Sequence, residues 1–273
     1  MKLFFLTALT MVAFAANSLL NRWALDQAYA EVWSFAALRL LSGAVVLVAL
    51  VAVRGSRLQL RGDWVSPIAL SLYVFGFSFA YLQLDAGIGA LILFGGVQLT
   101  MFGVLVLRGA DIPPFKWVGA VVSLSGLAWL VWPRETISLD SASVVGMAIA
   151  AFGWGIYSVQ GAKSADPLGN TARNFALATP LGLVLWLLIP QVMTWQGAAL
   201  AVISGAATSG LGYALWYRVL PQLAVTTAAL SQLTVPVIAA AMGAAVLAEP
   251  LSTQFYIASA LVLGGVALGL KRQ

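Results

Sequence analysis

The sequence predicts an all-α membrane protein with ten transmembrane helices, arranged as two inverted five-helix repeats, and with both termini in the cytoplasm. Three observations predict it. Of 273 residues, 62% are apolar and 8% charged, whereas a soluble domain carries about 25% charged residues to face water. The apolar residues fall into ten stretches long enough to cross hydrocarbon. The second half also repeats features of the first at a constant spacing.

A hydrocarbon core about 30 Å thick needs roughly 20 apolar helical residues. Stretches of that kind run at about 3–21, 32–53, 64–84, 87–107, 117–133, 142–162, 174–190, 197–217, 224–247 and 253–270. Arg39, in the second, is the one formal charge inside any of them. The division between the third and fourth rests on a short turn at Asp85-Ala86. Lys2, the apolar run behind it and Ala13-Phe14-Ala15 together imitate a cleavable signal. The first stretch is nevertheless taken as a permanent span, because the repeat needs a tenth helix.

Basic residues set the orientation. With the N-terminus inside, Lys2, Arg54, Arg57, Arg61, Arg108, Lys116, Lys163, Arg173, Arg218, Lys271 and Arg272 fall on the cytoplasmic side, and only Arg22 and Arg134 outside. Asp26, Glu31, Asp85, Glu135, Asp140 and Glu249 then lie outside. This placement explains the net charge of +5 without a nucleic-acid partner; the expected partners are the bilayer and a small molecule, and a monomer rather than a dimer.

Sliding the chain by 138 residues pairs Ser66 with Ser204, Ser71 with Ser209, Ala90 with Ala228, Asp111 with Glu249 and Gly126 with Gly264. Five spans per copy is an odd number, so the copies, 1–135 and 136–273, run in opposite senses. Inverted repeats place a binding site near the midplane between them. The run Gly212-Tyr213-Ala214-Leu215-Trp216-Tyr217-Arg218, continued by Ala228-Ala229-Leu230-Ser231, Pro236 and Glu249-Pro250-Leu251, resembles the second repeat of EamA-type proteins of the drug/metabolite transporter superfamily. Asn17 and Ala37-Leu38-Arg39 resemble the first repeat. The first half departs from the pattern at Phe14-Ala15-Ala16, Gln98 and Ala110-Asp111. The resemblance implies ten helices and movement of small metabolites, often amino-acid export of the YddG type, in a bacterial inner membrane.

Polar groups inside a membrane are costly and face a cavity or a partner helix. Arg39 stands roughly 10 Å deep in its span; it either reads a substrate carboxylate through its planar fork of donors or bridges helices. Asn17, at similar depth, is a candidate hydrogen-bond partner. Tyr73, Phe77 and Tyr81 form one aromatic stripe at i, i+4, i+8, either packing or a binding wall. Trp154, between Gly153 and Gly155 with Tyr157 one turn away, stands far from either interface and is expected to face a cavity. Gln98, Ser209, Tyr213 and Ser231 add uncharged polar groups near the middle. Pro180 and Pro236 are candidate hinges, since each removes a helical hydrogen bond. Gly265 and Gly269 form a GxxxG face, suited to a dimer or to packing within the chain.

Cysteine and histidine are absent, which excludes Ser–His and Cys–His nucleophile pairs and thiolate metal sites. No metal, cofactor or enzymatic activity is expected. A cationic-drug/proton antiporter would want a carboxylate within a span, and a sugar-nucleotide exchanger several cavity bases. With one arginine and no acid in the spans, the reading is a transporter for a neutral or zwitterionic metabolite, amino acids first, running by facilitated diffusion.

Overall fold

Hydrocarbon cannot hydrogen-bond a peptide group, so a spanning segment must satisfy its backbone internally. The computed structural model describes residues 1–109, 112–132, 139–161, 164–189, 192–223 and 231–270. Among these the secondary structure is helical, apart from a single β-bridge between Ala30 and Met193. The helices are α1 (Lys2–Asp26), α2 (Val32–Val53), α3 (Val65–Ala80), α4 (Ala86–Leu107), α5 (Pro114–Val131), α6 (Ser141–Gly161) and α7 (Pro167–Leu188). They are followed by α8 (Trp195–Gln222), α9 (Thr234–Leu247) and α10 (Thr253–Leu270). Seven are long and apolar enough to cross a bilayer; α3, α9 and α10 are shorter apolar helices.

Local chemistry starts several of them. Asp166 and Thr194 accept from the amides of Gly169 and Gly197, capping α7 and α8. Asp140 and Ser252 do the same for Ser143 and Phe255 at α6 and α10. Pro114 and Pro167 open α5 and α7, where an N–H would have no partner. The turn between α3 and α4 occupies residues 81–85, earlier than the predicted division at Asp85-Ala86.

Two boundaries correct the sequence reading. Helix α1 continues to Asp26 and α7 begins at Pro167, so Arg22 and Arg173 lie inside helices and Arg39 is not the only charge there. Arg22 and Arg173 are largely buried, with side chains 13% and 4% exposed, whereas Arg218, inside α8, is exposed. Composition had placed them in water-facing segments because each flanks an apolar stretch.

The most extensive helix packings map onto each other when helix n is exchanged with helix n ± 5, whereas α1–α4, α4–α5 and α4–α10 have no comparable counterpart among the described residues. Helix α3 packs on α6, and α1 on α8; α4 packs on α6, and α1 on α9; α3 packs on α7, and α2 on α8. The pairs α2–α7, α4–α9 and α5–α10 map onto themselves. Exposed side chains such as Phe5, Val45, Ile68, Val121 and Leu187 give the bundle an apolar exterior, while the interior holds buried Asn17, Asn21, Arg39, Ser78 and Ser204. That is the reverse of a water-soluble protein.

Glycines bring the backbones together. A Cβ on Gly153 would lie 2.6 Å from the Ala69 carbonyl, and one on Gly119 2.5 Å from that of Gly265. The Gly265–Gly269 face is thus used within the chain, by α5. At the α2–α8 crossing, a Cβ on Gly43 would lie 3.0 Å from the Gly205 carbonyl, and one on Gly205 would overlap the Arg39 carbonyl and Ser42 Oγ. There α8 widens into a π-helical turn, Ser204–Leu211, a distortion common at functional sites. Gly205→Ala should destabilise the folded protein by about 1–3 kcal/mol, as overpacking does. Gly264→Ala, where a Cβ meets open space, should leave it unchanged. Thermal unfolding of the two variants in detergent checks this, and equal melting temperatures would remove the close crossing.

Candidate functional site

The polar interior centres on Arg39, whose side chain is fully buried. Its Nε donates to Ser209 Oγ at 3.1 Å and one Nη to Tyr73 Oη at 3.0 Å. The guanidinium carbon lies 5.2 Å and 5.0 Å from the ring centres of Tyr73 and Phe77, close enough for cation–π attraction. The widened turn of α8 carries Ser209 to this point. Asn17, expected to bond Arg39, instead meets it through a shared partner: Asn17 Nδ2 donates to the same Tyr73 hydroxyl at 3.3 Å. Asn17 Oδ1 accepts from Ser204 and Thr208 at 2.7 and 3.1 Å, joining α1 to α8. Asn21 extends the network, accepting from Ser78 at 2.9 Å and donating to Ser204 at 3.3 Å.

Aromatic rings cover the other side. Trp154 lies 4.9 Å from both Tyr73 and Tyr213 and stacks on Tyr157 at 5.5 Å. Phe14 contacts Trp154, Tyr213 and Trp216 edge-on. Trp154 sits in this position because Gly153 lets α6 touch α3, while a Cβ on Gly155 would lie 2.7 Å from Thr100 on α4. Trp216, 6% exposed, is a second tryptophan in the core, so Trp154 is not alone away from the interfaces. Phe14, Asn17, Ser18, Tyr73, Phe77, Leu93, Phe94, Trp154 and Tyr213 enclose a void of about 10 Å³, so the centre is closed in this conformation.

The structure therefore gathers Asn17, Arg39, Tyr73, Phe77, Trp154, Ser209 and Tyr213. Tyr81 and Tyr157 lie at the margins: Tyr81 continues the α3 stripe against Phe77 and donates to the Ala86 carbonyl at 3.3 Å, while Tyr157 lines a polar cavity with Tyr217 and Arg173. Two expected residues lie away from the centre. Gln98 is half-buried on α4, and the Ser231 backbone carbonyl accepts from Thr234 Oγ1 at 2.7 Å; neither residue lines the void. Pro180 is exposed within a continuous α7. Pro236 lies in the first turn of α9; residues 231–232 are also helical, and the turn at Leu233 interrupts them one turn before the proline, where its missing N–H leaves the Gln232 carbonyl without a helical partner. Ser18, Asn21, Ser78 and Ser204 were missed, because isolated Ser and Asn in apolar helices carry no pattern that sets them apart from helix-packing groups.

Ion clusters close both ends. At one, Arg54 makes a bidentate pair with Asp166 at 2.8–2.9 Å, and buried Arg173 binds the Leu60 carbonyl and Asp63. At the other, Arg22 donates to the Tyr81 and Leu82 carbonyls and pairs with Asp26 at 2.9 Å and Glu249 at 3.3 Å, with Asp85 at 3.8 Å. Glu249, expected as a solvated outer acid, is buried, its side chain 7% exposed. It follows Ala248, which takes the left-handed conformation at φ 54 and turns the chain back over the end of α9. A Cβ at Gly243 would overlap the carboxylate, and its oxygens accept the Ala86 amide at 2.9 and 3.1 Å, at the start of α4. Its repeat counterpart Asp111 lies outside the described residues.

Residues 141–270 match the EamA-like transporter family. The uncharacterized protein PA1977 of Pseudomonas aeruginosa is 42% identical over 266 residues, covering 96% of this chain and 92% of that one. The uncharacterized transporter YoaV of Bacillus subtilis is 23% identical over 249 residues, covering 85% of each. A crystal structure 22% identical to this chain shares its fold, with a TM-score of 0.67 over 96% of this chain and 97% of that one. A bundle with an apolar exterior and a polar centre, so related, is a multi-pass membrane transporter. The chain belongs to the EamA-like transporter family of the drug/metabolite transporter superfamily.

Burial, first, and the nearby Asp85 charge push the Glu249 carboxyl up to about 7, against the pull of the Ala86 amide and Arg22. Burial likewise raises Asp85. A carboxyl whose folded pKa lies above its unfolded value binds more protons when folded, so this stabilisation is full below about 4.5 and is lost as pH rises through 7. Melting temperature should fall between pH 5 and 8, reflecting a loss of stability of order 1–3 kcal/mol. In Glu249→Gln the slope should flatten; an unchanged slope would assign it to other groups.

Proposed function

We propose that the protein moves a small carboxylate-bearing metabolite, amino acids first, as exporters of the YddG type do, by alternating access and down its own gradient. The observation that carries this reading is Arg39, a permanent charge buried at the centre beside aromatic rings, with no acid bonded to it among the described residues. A guanidinium so placed is suited to a carboxylate delivered by the substrate. The closed centre, with ion clusters at both ends, suits a site that opens to one side at a time. The n ± 5 packing pattern supports two inverted repeats, 1–135 and 136–273, which rock about that centre. Pro180 and Pro236 are the hinges of the same proposal. Ten spans, cytoplasmic termini and a place in the bacterial inner membrane complete it, on the basic-residue asymmetry.

A second reading, proton-linked transport, is favoured by Glu249, a buried carboxyl that titrates near neutrality. Substrate accumulation above its own gradient, abolished by an uncoupler, would select it over facilitated diffusion.

Two outcomes are expected. A reporter active only in the cytoplasm, fused after Gln273, should be active; activity of a periplasm-only reporter there would overturn the topology. Arg39→Lys keeps the charge but loses the fork, so counterflow of a carboxylated substrate into proteoliposomes should drop about tenfold or more, and further in Arg39→Gln. Wild-type counterflow in Arg39→Gln would leave Arg39 a scaffold residue.

A further inference from the structure

Three buried donors border or adjoin the central void without a hydrogen bond of normal length among the described residues: one Nη of Arg39, the Tyr213 hydroxyl, which has Tyr73 near it, and the Ser18 hydroxyl, which has Tyr81 near it. Ser18 and Tyr213 line the void directly, and Arg39 stands against Tyr73 and Phe77, which line it too. A buried donor without a partner is destabilising, more so when charged. Three at one place describe a cradle for an acceptor with several lone pairs, which a carboxylate is.

Among the described residues no acid stands at the centre to serve an ammonium group. Each described acid is engaged away from the centre. Asp26, Asp85 and Glu249 surround Arg22; Asp63 and Asp166 pair with Arg173 and Arg54; Asp140 caps α6 and Glu31 accepts the Val192 amide. The lining therefore carries the charge of Arg39 without an acid to neutralise it. A monoanion neutralises it, whereas a zwitterion brings a second positive charge into the same low-dielectric space, where like charges a few ångströms apart repel strongly. The remaining walls are Phe14, Phe77, Leu93, Phe94 and Trp154, suited to an apolar or aromatic body.

Resting on the transport reading above, we infer that this centre recognises a monoanionic organic acid, a carboxylate on an apolar or aromatic body, and makes no use of an α-amino group. Amino acids then bind through the carboxylate and side chain alone, and their des-amino counterparts bind better.

The test is binding of matched probes to the purified full-length protein, read by quenching of tryptophan fluorescence and by thermal shift. One set is 3-phenylpropionate, L-phenylalanine and 2-phenylethylamine; the second is hexanoate, L-norleucine and pentylamine. In at least one set, the acid should bind about tenfold or more tighter than the amino acid, and the amine should not bind. An amino acid binding as well as its des-amino acid, or better, overturns the inference while leaving amino-acid transport standing. Binding of the amines alone, or of neither carboxylate class, overturns both. Tyr213→Phe separates recognition from scaffolding, since the lost hydroxyl makes no hydrogen bond of normal length within the protein. Its melting temperature without probe should be unchanged or higher, while affinity for the bound acid falls about tenfold. Undiminished affinity in Tyr213→Phe overturns the donor cradle.

Discussion

A guanidinium keeps its charge at any pH a protein survives, so Arg39 fixes a positive charge at the centre of an apolar bundle and the surroundings must compensate it. Taking an ion out of water costs several kcal/mol even after relaxation. Two kinds of group offset that here: the hydroxyls of Ser209 and Tyr73, and the ring faces of Tyr73 and Phe77. Each comes from a specific backbone arrangement. Ser209 reaches Arg39 because α8 is widened over Ser204–Leu211 and because Gly43 and Gly205 let α2 and α8 touch. Tyr73 is held in turn by Asn17, which α8 grips through Ser204 and Thr208. The charge thus ties together helices from both halves of the chain.

The two ends of the molecule obey the opposite rule. There each buried or half-buried arginine has acid partners, and exposed pairs such as Arg54–Asp166 contribute less than about 1 kcal/mol. The Arg22 cluster differs because Glu249 is removed from water. Its carboxylate joins the end of α9 to the start of α4 and to α1, so its protonation state bears on contacts between the two halves. Among the described residues the acids stand at the ends and none pairs with Arg39 at the centre, which is the arrangement the proposed carboxylate site needs.

Composition and hydrophobic length by themselves determined the membrane class and the division into apolar helices, while the family was legible in the resemblance carried by the run from Gly212 to Leu251. They also singled out Arg39, Asn17, Tyr73, Trp154, Ser209 and Tyr213, because a polar or bulky aromatic residue stands out against an apolar helix whatever it packs on. These signals are local, legible within one or two turns. Tertiary structure alone decided what lies between distant segments. It showed that Arg22 and Arg173 are inside helices and largely buried, that Asn17 reaches Arg39 only through Tyr73, that Trp216 joins Trp154, and that Gln98 and Ser231 stand apart. It placed Ser18 and Asn21 at the centre and folded Glu249 out of water through the left-handed turn at Ala248 and the bare backbone of Gly243. The physical reason is that burial and pairing depend on which helices meet and how closely. A glycine, a one-residue widening of a helix or a reversed turn sets that geometry without altering the hydrophobic pattern along the chain.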